Sequence, residues 1–151
     1  FEIKSPLKGQ VKPLSEAVDP VFAQGVMGQG VLIDPSEGLL TSPVNGVVSV
    51  LFPTKHAIGL VTDQGLELLI HIGMDTVNLE GKGFETYVKQ GDTIKVGDKL
   101  IRFDIDAIHQ AGYTTETPVI VTNQNDYQPD VVGSLPREIE RGEVLLTASK
   151  I

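Results

Sequence analysis

The chain has 151 residues, 40% hydrophobic and 21% charged, a composition that sustains one globular core and is too apolar for a disordered chain. It has no cysteine, which excludes disulfides, thiolate chemistry and cysteine-based zinc sites, and it has no run of about 20 apolar residues able to span a bilayer. A net charge of −8 argues against nucleic acid or an anionic membrane as partner and suits attraction of a basic protein.

Taken in order, nearly every segment reads as a short strand ended by Gly, Pro, Asn or Asp. SPLKGQVKPL (Ser5–Leu14) comes first, and DPVFAQGV from Asp19 predicts a short helix. VLIDP, GVVSVLFP, IGLVTD, LELLIHIG, TIKV and KLIRFD then read as strands. DIDAIHQAG predicts a second helix of one or two turns, capped by Asp106 and stopped at Gly112, with His109 on its surface. TPVIVTN and EVLLTAS close the series.

SPLKGQVKPL and SPVNGVVSVL (Ser42–Leu51) agree at five of ten positions. VKQGDTIKVGDKLIRFD (Val88–Asp104) has a fainter echo in LPREIERGEVLLTAS (Leu135–Ser149). The expected fold is therefore all-β, an antiparallel sandwich or barrel with an internal duplication and one or two short helices, spanning residues 1–151 as a single domain.

LELLIHIG places a histidine in an apolar run. Strand alternation sends Leu68, Ile70 and Ile72 to one face and Glu67, Leu69 and His71 to the other. The unbroken apolar face belongs to the core, so His71 looks outward. Upstream, alternation from Thr54 puts Thr54, His56, Ile58 and Leu60 on a common face. If the two strands pair through a turn at Asp63–Gly65, the two imidazoles become cross-strand neighbours.

Two imidazoles beside one hydroxyl suit an anionic group such as a phosphoryl: one ring attacks and the other donates hydrogen bonds. Apolar surroundings lower a histidine pKa from about 6.5, which keeps the ring neutral and nucleophilic. Gly73 offers a carbonyl to anchor Nδ1 of His71, leaving Nε2 exposed.

FPTKHAIG, LLIHIGMDTVNLEGKGFE and VKQGDTIKVGDKLIRFD, in this order, resemble the glucose-type enzyme IIA domain of the bacterial phosphoenolpyruvate-dependent sugar phosphotransferase system. VDPVFAQGVMGQG, TSPVNGVV and TPVIVTN extend the likeness from about Ile3 to Ser149. The resemblance implies a barrel-sandwich hybrid and a phosphotransferase component. His71 would be phosphorylated on Nε2 by the phosphocarrier protein HPr and would pass the group to a cysteine of the sugar-specific IIB domain. His56 matches the second active-site histidine, and Thr54 the threonine bonded within that pair. Asp19 and Asp75 match acidic residues that meet an arginine of HPr. Phe22, Val26, Met27, Phe52, Leu69 and Val77 match an apolar partner-binding patch. No cofactor is implied. The implied location is cytoplasmic, free or tethered to the inner membrane face through a fused permease. Leu69 and Ile58 stand where some relatives carry phenylalanine, which leaves partner preference open.

Two other readings are weaker. His71-x-x-x-Asp75 has the spacing of one ligand pair in lysostaphin-like metallopeptidases, but no His-x-His accompanies it. No metal is required, although His56 and His71 with outside ligands can take up adventitious zinc. The Gly91–Leu100 pattern suggests a lipoyl or biotinyl carrier, but neither Lys82 nor Lys89 has the flanking residues of such domains, and turn chemistry explains the glycines. No Walker-type Gly-x4-Gly-Lys appears, so a nucleotide donor is not expected.

Overall fold

The computed structural model describes residues 1–151. The chain runs from β1 (Glu2–Lys4) and β2 (Gly9–Pro13) through helix α1 (Pro20–Ala23) to β3 (Gln29–Pro35). There follow β4 (Leu39–Thr41), β5 (Gly46–Leu51), β6 (Ala57–Val61), β7 (Glu67–His71), β8 (Phe84–Thr86), β9 (Thr93–Ile94) and β10 (Lys99–Phe103). Helix α2 (Ile105–Gln110) leads to β11 (Thr117–Val121), β12 (Tyr127–Val131), β13 (Arg137–Ile139) and β14 (Val144–Lys150). Every strand pair is antiparallel. The all-β expectation with two short helices holds.

The strand order exposes the duplication. The largest sheet is ordered β13-β2-β3-β11-β7-β6-β5-β9, and two small sheets are ordered β1-β14-β12 and β4-β10-β8. Exchanging β2 with β5, β3 with β6, β11 with β7 and β13 with β9 maps the large sheet onto itself. Exchanging β1 with β4, β14 with β10 and β12 with β8 likewise turns one small sheet into the other. One half is thus the continuous segment from β4 to β10, and it is inserted into the other half between β3 and β11.

The two Ser-Pro-x-x-Gly segments occupy equivalent corners of these halves. Ser5 Oγ donates to the Leu7 carbonyl and Ser42 Oγ to the Val44 carbonyl, each at 2.7 Å. Ser5 N donates to Glu143 O at 2.7 Å, and Ser42 N to Asp98 O at 2.8 Å. The fainter Gly-acid echo therefore closes the same corner in both halves. Both serines are buried, so these bonds remove polar atoms that would otherwise lie unpaired in the core.

Alternation along the strands builds the core. Leu68 and Ile70 of β7, Ile58 and Leu60 of β6, Val119 and Val121 of β11 and Val31 and Ile33 of β3 join a cluster of 27 buried residues. The opposite face of the same strands is also apolar. Ala57, Leu69, Ile120 and Leu32 form a second cluster of eight with Leu14, Ala17, Phe22 and Met74. It exists because the β2–β3 connection, with a 3-10 turn at Leu14–Glu16 and helix α1, folds back over the sheet. Asp19 starts that helix: its carboxylate accepts from Val21 N at 2.9 Å, and Pro20 follows at the first helical position.

Helix α2 begins earlier than its sequence suggests. The cap is Asp104, whose carboxylate accepts from Ala107 N at 3.0 Å, and Asp106 lies in the first turn. Asp104 follows β10 with extended backbone angles, the conformation an N-cap needs, whereas Asp106 is already helical. His109 is exposed and bonds Thr115 Oγ1 at 3.0 Å through Nε2.

Candidate functional site

The second apolar cluster is the floor on which two histidines meet. β6 and β7 pair with Ala57 opposite His71 and Gly59 opposite Leu69, through a turn at Asp63–Gly65. His71, the last residue of β7, therefore faces the outer cluster, as alternation predicts. It is half-buried, and its ring lies 5.0 Å from that of Phe22.

His56 reaches the same place by a different route. Alternation from Thr54 predicts that His56 shares a face with Ile58 and Leu60, but those two point into the main core and His56 does not. β6 begins only at Ala57, and Lys55 before it has a left-handed backbone with φ of 63°. That residue breaks the pleat and swings His56 to the outer side. The His56 and His71 rings lie 4.8 Å apart at an interplanar angle of 80°. Phe52 approaches His56 edge-on at 5.4 Å, and Thr54 Oγ1 lies 2.7 Å from His56 Nδ1.

One hydrogen bond decides the tautomer of His71. Its Nδ1 lies 2.7 Å from the Gly73 carbonyl oxygen, which can only accept. Nδ1 must therefore carry the proton, and in the neutral ring Nε2 holds a bare lone pair. Gly73 has φ of 75°, and a Cβ there would fall 2.5 Å from the Thr114 carbonyl oxygen. Only glycine turns its carbonyl back onto His71 in this space.

Burial favours the neutral form of both rings. Burial pushes His71 below its ordinary 6.5, against the opposing pull of the Gly73 carbonyl and, more weakly, of Asp19 and Asp75. Burial, and then the neighbouring His71, bring His56 down to about 4.

The residues expected to form a partner patch divide into two groups. Phe22 and Leu69 are buried and form floor, not surface. Val26, Met27 and Val77 are exposed, Phe52 is half-buried, Asp19 is half-buried and Asp75 is exposed. The sequence reading missed Leu14, Ala17, Leu32, Ala57, Met74 and Ile120, which complete the floor. It also missed Thr76, fully buried under the turn after His71. Surface hollows of about 610 and 240 Å³ lie elsewhere, and none of their lining residues belongs to the histidine site. The histidines stand on an apolar face, the form of a protein-docking surface more than of a small-molecule pocket. No group of three or more His, Cys, Asp or Glu side chains converges as a metal site.

A family model described as phosphoenolpyruvate-dependent sugar phosphotransferase system, EIIA 1, matches residues 1–127. The chain belongs to this family. Among EIIA relatives, the PTS system beta-glucoside-specific EIIBCA component of Bacillus subtilis (strain 168) is 51% identical over 147 residues, 97% of this chain and 24% of the relative. The component of the same description from Halalkalibacterium halodurans is 55% identical over 126 residues, 83% of this chain and 20% of the relative. The chain thus spans about a quarter or less of the length of these relatives. In structure it is similar to the glucose permease IIA from Mycoplasma capricolum, with a TM-score of 0.91 and 35% identity. That match covers 97% of this chain and 94% of the other.

Proposed function

We propose that residues 1–151 act as one EIIA domain that carries a phosphoryl group on Nε2 of His71. The lone pair of Nε2 attacks phosphorus of phospho-HPr, and the bond from phosphorus to the HPr histidine breaks as the new P–N bond forms. A cysteine thiolate of the IIB domain then attacks phosphorus, and Nε2 leaves with its electron pair. The observation that carries this reading is the Nδ1–Gly73 bond, because it puts the proton on Nδ1 and leaves the lone pair on Nε2.

His56 supports the transfer. With the Thr54 hydroxyl donating to Nδ1, its Nε2–H is free to donate to a phosphoryl oxygen. The apolar floor keeps water from the phosphohistidine and strengthens these hydrogen bonds. Asp19 and Asp75 beside His71 would receive the arginine of HPr, and Val26, Met27, Phe52 and Val77 would bury apolar surface of either partner. No cofactor or nucleotide takes part.

None of the chain's helices is long and apolar enough to cross a membrane, and the relatives' EIIBCA names join IIA to IIB and IIC parts. We place the domain in the cytoplasm, tethered to a permease on the inner membrane face. Sugar choice belongs to the permease, and beta-glucosides are the first class to test because the relatives' names carry them.

The test is incubation with phosphoenolpyruvate, enzyme I and HPr, read by intact mass. The wild type gains one acid-labile phosphoryl group, His71→Ala gains none, and His56→Gln is loaded but passes the group poorly to IIB. Equal loading of His71→Ala would refute the assignment. Metal-dependent peptide cleavage would favour a hydrolase.

A further inference from the structure

The direction of the Gly73 carbonyl decides which nitrogen of His71 is bare, so whatever holds that carbonyl governs the nucleophile. The segment from Ile72 to Thr76 is unusual backbone: Gly73 has φ of 75° and Asp75 φ of 59°. A chain with two left-handed residues so close together is not held by strand pairing. It is gripped at its start, where Ile72 N donates to His56 O at 2.7 Å. At its end a side chain closes it: Thr76 Oγ1 donates to the carbonyl of Ile72, four residues back.

Thr76 is fully buried and lies against Gly73 as well. A Cβ on Gly73 would fall 2.6 Å from Thr76 Cγ2 and 3.4 Å from Thr76 Oγ1, with the Thr114 carbonyl on its other side. The hydroxyl thus fixes the peptide immediately before Gly73, while the methyl packs on Gly73 itself. Removing the hydroxyl strands a buried carbonyl without a donor, and the turn relieves this by rotating its peptides. The Gly73 carbonyl then moves off Nδ1, and the imidazole can redistribute its proton between the two nitrogens. A ring protonated on Nε2 has no lone pair there to attack phosphorus.

We infer that Thr76 is a positioning residue for His71: its hydroxyl bond to the Ile72 carbonyl holds the Gly73 carbonyl in place and so keeps the proton on Nδ1. This rests on His71 being the phosphoryl acceptor, as proposed above.

The experiment compares the wild type with Thr76→Val and Thr76→Ser, using nitrogen-detected NMR of the His71 ring and the rate of loading from phospho-HPr, both well below each variant's unfolding temperature. Thr76→Val keeps the shape and loses the donor. It is expected to show a mixed His71 tautomer and loading slowed about tenfold or more, the scale on which small misplacements act. Thr76→Ser keeps the donor and is expected to retain the Nδ1–H tautomer and load within about twofold of wild type, even if less stable. A Thr76→Val protein with an unchanged tautomer overturns the inference, and so does a Thr76→Ser protein that loses it, whether or not the valine variant folds. If the wild type shows the Nδ1–H tautomer but takes no phosphoryl group, the functional reading has failed and the tautomer comparison still judges Thr76.

Discussion

A histidine whose folded pKa lies below its unfolded value binds fewer protons folded than unfolded, so acid favours unfolding. His56, brought down to about 4, and His71, lowered in the same direction, both behave this way. Their effect on stability is nearly absent above the unfolded value near 6.5 and grows as pH falls toward 4, where the His56 contribution levels off. Urea unfolding at pH 7 and pH 5 is expected to show His56→Gln losing less stability than the wild type over that interval. The gap attributable to His56 is about 2 kcal/mol at most, and identical losses would show that His56 is not held neutral. Loading of His71 should likewise begin to fall only at a lower pH than an ordinary imidazole would impose, because burial lowers its pKa. The neighbouring residue gives a second prediction. Lys55 carries a left-handed backbone that an L side chain disfavours by about 1–2 kcal/mol. Lys55→Gly is expected to be neutral or more stable in urea. Lys55→Val is expected to lose stability and to shift the His56 ring resonances, since a β-branched residue pulls the segment back toward the pleat. Unchanged resonances in a folded Lys55→Val protein would show that φ at this position does not place His56.

At the scale of the element, the duplication makes paired predictions. A Cβ on Gly9 would sit 2.1 Å from Asp34 O, and one on Gly46 would sit 2.2 Å from Val61 O, both backbone atoms that cannot step aside. Gly9→Ala and Gly46→Ala are each expected to cost about 1–3 kcal/mol or more. At Gly97 and Gly142, with φ of 92° and 90°, a Cβ would meet nothing within 4 Å, so only backbone strain of about 1 kcal/mol opposes alanine there. Chemical denaturation of the four variants tests this, and unequal losses within either pair would break the equivalence of the halves. How much was legible follows the same physics. Where the backbone stays extended, as from Leu66 to Ile72, side-chain faces could be read directly, and the Ser-Pro-x-x-Gly likeness revealed the duplication. The strands Leu39–Thr41, Phe84–Thr86 and Arg137–Ile139 are three residues each, too short to show a period, and went unread. His56 was brought beside His71 by a broken pleat at Lys55 that alternation cannot foresee. The floor residues Leu14 and Ile120 escaped notice because their burial depends on where the β2–β3 connection lands, a tertiary fact with no local signal.

For the molecule as a whole, the site is an apolar island on a chain of net charge −8. Its rim is exposed: Val26 by 68%, Val77 by 47% and Met27 by 42%. For the proposed function, an apolar face kept open on an acidic protein would separate two tasks, long-range attraction of a partner's cationic groups and close packing around the imidazoles. The two tasks respond differently to substitution. Lysine at Val26 or Val77 removes no core contact, so unfolding free energies should stay within about 0.5 kcal/mol of wild type. Under the proposed docking the same lysine sets a cation near the arginine of HPr and must be desolvated, so loading by phospho-HPr should slow about tenfold when Val26→Lys and Val77→Lys are combined in a double variant. Added salt should slow the wild type, by screening its attraction for the partner, and slow the lysine variant less. A double variant that keeps its stability and also loads at the wild-type rate would move the docking face away from Val26 and Val77, leaving Asp19, Phe52 and Asp75 as the surface to map next.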